Sequence, residues 1–147
     1  IILGDGRLSL AAEKDGAFRL LLIDAFSSAS VPAHLLTREA VELYLSKLSD
    51  DGVLVMHVSN KHMNLKTLVA RIADDLGVPA RYKYSIADPN QASEYESQAS
   101  QVVIIAKSEA AFSTFDLQPG WSTLDGDGKR QWSDEYSNVL GAIIDRN

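Results

Sequence analysis

The chain of 147 residues is 46% hydrophobic and 23% charged, has no cysteine, and sets 14 Lys+Arg against 20 Asp+Glu for a formal net charge of -6. Such values describe one ordered globular domain with a core of its own, exclude a disulfide scaffold, and count against a nucleic-acid partner while favouring cationic or neutral small molecules. No apolar stretch approaches the ~18 residues of a membrane-spanning helix, nothing reads as a signal peptide, and the lack of cysteine fits a reducing compartment, the cytoplasm.

The chain opens at Ile1 inside an apolar run, IIL, which reads as the end of a strand and suggests a fragment of a longer chain. RLSLAAEK (7–14) has the length of a short helix before a turn at Asp15-Gly16. FRLLLI (18–23) is continuously apolar, the pattern of a central parallel strand covered on both faces. Thr37 is placed to cap a helix in which Val41, Tyr44, Leu45 and Leu48 recur at i, i+3, i+4 and i+7, and Asp50-Asp51-Gly52 ends it. VLVMHVS (53–59) is the next strand. Asn64 then caps a helix with Leu65, Leu68, Val69, Ile72, Ala73 and Leu76 on one face, stopped by Gly77 and Pro79.

A strand at 80–86, a polar loop ADPNQASEYESQASQ (87–101) and the strand VVIIA (102–106) follow. This strand, loop and strand without a helical pattern predict an antiparallel hairpin closing an otherwise parallel sheet. From Lys107 the pattern fades into a Pro119-Gly120 turn, a Gly/Asp-rich turn at 125–128 and a last amphipathic stretch, WSDEYSNVLGAII (132–144). The expected organisation is a single domain over 1–147, with an α/β core at 1–106 and a tail at 107–147 packing on it.

Alternating strands and helices around apolar strands predict a doubly wound α/β sheet, in which ligands bind beyond the carboxyl ends of the strands. Asp24 stands at such an end. Strand termination or a turn would also place an aspartate there. Phe26, Ser27 and Ser28, however, lengthen the connection and leave room for a ligand beside the carboxylate. GDGRLS (4–9) begins like a G-x-G-x-x-G dinucleotide fingerprint, with Asp24 where a ribose-binding acid would stand. Ser9 replaces the third glycine and the intervening helix has barely two turns, so a nicotinamide or flavin module is the weaker reading. His34, His57 and His62 lack metal-site spacing, and His57, within a strand, reads as a hydrogen-bonded core residue. Trp121 and Trp132 read as packing residues, and Lys61 with Lys66 is too small a basic cluster for nucleic acid.

LGDGRLSL (3–10), LLIDAFSSASVPAHLLTREAVELYLSKLSDDGVLVMHVSN (21–60) and WSDEYSN (132–138) resemble the spermidine synthase-like family, in particular bacterial members fused to membrane-spanning segments. The match is dense to about residue 76, thin from 77 to 130, and returns near Trp132. The resemblance implies a Rossmann-like fold of the class I methyltransferase type, truncated on its N-terminal side, mostly parallel with a C-terminal antiparallel hairpin. The glycine-rich loop and the ribose-holding acid of the family would then lie upstream of Ile1.

The activity so implied is aminopropyl transfer from decarboxylated S-adenosylmethionine to an amine such as putrescine, without a metal. Asp5 and Gly6 take the place of the pair that reads adenine, Asp24 that of the catalytic aspartate, and Pro32 and Leu35 those of residues walling the nucleoside pocket. An alkylamine with a pKa near ~10.4 arrives protonated, and a strand-end carboxylate can bind it, take its proton and aim its lone pair. Ala29 stands where the family usually carries a second acid, which puts putrescine specificity in question. Asp134 is a candidate source of charge from elsewhere, or a solvated helix-start aspartate, and Ser27 and Ser28 are candidates to hydrogen-bond a substrate. Two other functions remain open. One is methyl transfer from S-adenosylmethionine on the same fold; the other is a non-catalytic nucleoside-binding or assembly module, in which an open sheet edge pairs into a homodimer. The transferase reading further requires Asp5 and Asp24 to converge on one cleft.

Overall fold

The computed structural model describes residues 1–26, 31–86, 99–139 and 142–143. In chain order these form α1 (Gly6–Ala11), β1 (Phe18–Ile23), a 3-10 turn (Ala33–Leu35), α2 (Arg38–Lys47), β2 (Leu48–His57), α3 (Leu65–Leu76), β3 (Ala80–Ser85) and β4 (Ser100–Ala106). A second 3-10 turn (Glu109–Phe112), α4 (Ser113–Asp116) and β5 (Trp121–Thr123) follow.

The five strands make one sheet in the order β1-β2-β4-β3-β5. β1 and β2, joined by a crossover that contains α2, pair in parallel, as a crossover of this length allows. β4 lies antiparallel between β2 and β3, and β5 adds antiparallel to β3. Because β2 and β3 each oppose β4, the three strands β1, β2 and β3 run the same way while β4 and β5 run back. The result is a mixed α/β, Rossmann-like sheet with a parallel start and the expected β3–β4 hairpin.

Capping residues fix the two long helices. The Thr37 hydroxyl accepts from Ala40 N at 3.2 Å at the start of α2, and Asn64 Oδ1 accepts from Thr67 N at 3.2 Å at the start of α3. Gly77 ends α3 with φ of 65°, a left-handed conformation natural to glycine. Both helices turn their apolar stripes to one sheet face. There Val41, Tyr44, Leu68 and Ile72 meet Leu54, Met56, Val103 and Ile105, all of them buried, and Trp132 from the tail completes the layer. Residues of opposite parity, Val53 and Ile104, point to the other face and meet Phe112, with Phe115 and Trp121 at its margin. The tail therefore covers the second face of the sheet over β2 and β4.

Four local expectations change. IIL at 1–3 forms no strand; all three residues are exposed and pair with no strand among the described residues. β1 is an edge strand instead of a central one. Leu21 faces the core, but Leu20 and Leu22 are 59% and 61% exposed because the tail residues that cover β2 do not reach them. α2 stops at Lys47, and residues 48–52 start β2. Gly52 makes this possible, since a Cβ there would stand 3.0 Å from Phe18 O and 3.1 Å from Leu48 Cβ. The tail adds β5, while Ser133 and Tyr136 close a turn at a position where a helix was expected.

Candidate active site

The parallel register aligns Leu22 with Val55 and Ile23 with Met56, so the next residues along, Asp24 and His57, leave the sheet side by side. Asp24 Oδ1 lies 2.8 Å from His57 Nδ1, and His57 Nε2 lies 2.8 Å from Ser59 Oγ. Ser59 is held from the other side, its Oγ accepting from Gln101 N at 2.7 Å. Val58 N donates to Gln101 O at 2.8 Å, which ties the exit of β2 to the entry of β4. A carboxylate only accepts hydrogen bonds. With Asp24 as a carboxylate, the ring proton sits on Nδ1, and Nε2 accepts from the Ser59 hydroxyl.

This chain of side chains lines a cleft of about 760 Å³, within the range of small-molecule sites. Ala25 and Phe26 form part of its wall beside Asp24; Lys61 from the segment after β2, Tyr84 from β3 and Gln101 from β4 bring polar groups. The Asp24 carboxylate is 63% exposed and His57 38%, so both are within reach of a ligand.

A second polar cluster forms around α1. Asp5 caps α1 by accepting from Leu8 N at 3.0 Å and stands 3.1 Å from His34 Nε2. The hydrogen bond from Leu8 lowers the Asp5 pKa, against a partial desolvation effect. Arg7 grips both oxygens of Asp134 at 2.7 and 2.6 Å and also donates to His34 O at 2.9 Å. Thr37 donates to Asp134 Oδ1 at 2.7 Å. These bonds, that from Arg7 first, hold the Asp134 carboxyl below its usual range and raise Arg7 in return. Beneath the cluster, burial pushes the Tyr44 hydroxyl up to about 12.

The residues singled out in the sequence thus divide. Asp24 opens on the cleft; Asp5, Gly6, Pro32, Leu35 and Asp134 do not line it. Asp5 and Gly6 start α1, while Pro32 precedes and Leu35 ends the 3-10 turn against which Arg7 and Asp5 pack through His34. Asp5, at the start of α1, is not among the described residues that line the cleft beside Asp24. Asp134, offered as a source of substrate charge, is engaged by Arg7 and Thr37. Ser27, Ser28 and Ala29 lie outside the described residues. Sequence reasoning missed His57 as a site residue, although its place at the end of the strand after Asp24 was the available signal. Among the described residues no three His, Cys, Asp or Glu side chains gather as a metal site, and no described helix is long and apolar enough to cross a membrane.

No family model and no curated protein matches the sequence. Among solved structures, the chain is similar to a probable spermidine synthase from Corynebacterium glutamicum, with a TM-score of 0.58 and 17% identity over 94% of this chain and 55% of that one. The present chain spans about half the length of that structure. At this identity the likeness is one of fold: the chain shares a mixed α/β, Rossmann-like architecture with that structure over the matched span.

Proposed function

We propose that the chain is a spermidine synthase-like transferase domain that moves an aminopropyl group from decarboxylated S-adenosylmethionine to an amine acceptor such as putrescine, with Asp24 as general base. The observation that carries this reading is a carboxylate just past the carboxyl end of a parallel strand, at the mouth of a cleft of about 760 Å³. Strand ends of open α/β sheets are where such folds bind ligands. The fold shared with a probable spermidine synthase adds support.

In the proposed reaction the acceptor enters as an ammonium and its charge pairs with Asp24. The carboxylate takes one proton, which frees a lone pair on nitrogen. That pair attacks the methylene carbon next to the sulfonium; the carbon–nitrogen bond forms, the carbon–sulfur bond breaks, and its electrons stay on sulfur as a neutral thioether. Alignment and proton removal supply the acceleration. Asp5 and Gly6 for the adenine, and Pro32 and Leu35 for the nucleoside wall, belong to the same proposal, on the surface shared by α1 and the turn at 33–35. Ser27 and Ser28 are proposed to bind the acceptor.

The test is turnover of the full-length protein with putrescine and decarboxylated S-adenosylmethionine. Asp24→Asn is expected to lower kcat by about 10² to 10⁴. Unchanged turnover removes Asp24 as the base.

Lys61 in the same cleft favours a second reading, in which the donor is S-adenosylmethionine and a methyl group is transferred. Its ammonium suits the carboxylate that this donor keeps and the decarboxylated one lacks. Calorimetry with both donors separates the two, because tighter binding of the carboxylated donor, lost in Lys61→Met, selects methyl transfer.

A further inference from the structure

We infer that Asp24 does not work as a lone carboxylate: His57, itself fixed by Ser59, is the positioning residue that orients it. This inference rests on the transferase reading of the cleft.

Three observations lead there. The parallel register brings residues 24 and 57 together by main-chain pairing, independent of loop conformation. The two 2.8 Å contacts use both ring nitrogens of His57, so the imidazole plane is fixed at each end. Ser59 receives the Gln101 N–H at 2.7 Å, which leaves its own proton to point at His57 Nε2. Donation from Nδ1 then occupies one lone pair of Asp24 Oδ1 and aims the remaining acceptor sites of the carboxylate at an incoming ammonium.

The experiment uses the full-length protein in three forms beside the wild type. His57→Ala is expected to lower kcat about 100-fold, the scale of losing alignment of a reacting group, and to raise KM for the amine. His57→Asn, whose amide can replace the Nδ1 donor to Asp24, is expected to recover most of kcat. Asp24→Asn serves as the control. If His57→Ala turns over normally while Asp24→Asn is dead, the positioning role falls and the transferase reading stands. If Asp24→Asn is also active, the transferase reading itself falls. Nitrogen-15 NMR of the imidazole gives an answer without turnover: the Nδ1–H tautomer of His57 is expected in the wild type, and an Nε2–H tautomer overturns the inference. Covalent labelling of Ser59 by a fluorophosphonate also overturns it, since Ser59 would then be a nucleophile and not a brace.

Discussion

Arg7 and Asp134, 127 positions apart in the chain, meet through two parallel hydrogen bonds of 2.7 and 2.6 Å. The pair fastens the tail to α1, and Thr37 joins it to the start of α2. Trp132 O reinforces the attachment by accepting from Arg38 N at 2.9 Å. The closure is therefore at once ionic, through Arg7, and apolar, through the buried Trp132 ring.

Acid is expected to loosen this closure. Asp134 has its pKa lowered from 3.8, chiefly by the Arg7 hydrogen bonds. A depressed folded pKa means that the stabilisation is complete above about pH 4 and is lost as the pH falls through the folded value. Asp134 is 45% exposed, so the contribution after solvent screening is about 1 kcal/mol at most. Thermal melts from pH 6 to pH 2 should show wild type and Asp134→Asn converging at the acid end and separated at pH 6.

Thr37→Ala removes three hydrogen bonds at once, the cap on Ala40 N, the link to Asp134 and a 3.4 Å bond accepted from Arg7 Nη1. Urea unfolding is expected to show a loss of about 1–2 kcal/mol, with Thr37→Ser largely restoring the cap.

Gly52→Ala is expected to destabilise by about 1–3 kcal/mol, since the new methyl would press on Phe18 O and Ser49 O, backbone atoms with little room to retreat. Gly6→Ala meets nothing within 4 Å and is the matched control for stability.

Burial along the sheet gives a further contrast. Leu54 is fully buried, and Leu54→Ala should cost about 2–5 kcal/mol; Leu22, on the uncovered face of β1, should cost less than about 0.5 kcal/mol on the same change. Equal losses at the two positions would show that β1 is covered on both faces after all.

That last pair marks the boundary of what the residues alone reveal. An apolar run such as LLLI states that a strand can be buried, but the number of its covered faces depends on where the tail lies, and the tail carries no strong periodicity. Helices were legible because their determinants are local: Thr37, Asn64 and Gly77 act within four residues of themselves. The strand-end aspartate was legible for the same reason. Its partner was not, because the meeting of Asp24 with His57 depends on cross-strand register, and a histidine inside a strand reads as core until the register is known. Arg7 and Asp134 are further apart still, and nothing near either residue announces the other.

The main-chain origin of the Asp24–His57 contact also sets which changes to the protein it can survive. Connections beyond the two strand ends can be exchanged or lengthened with the pair intact, because neither residue owes its place to a loop. A single residue inserted into β1 would do the opposite: it would rotate every later side chain to the reverse side of the ribbon and carry the aspartate away from its imidazole.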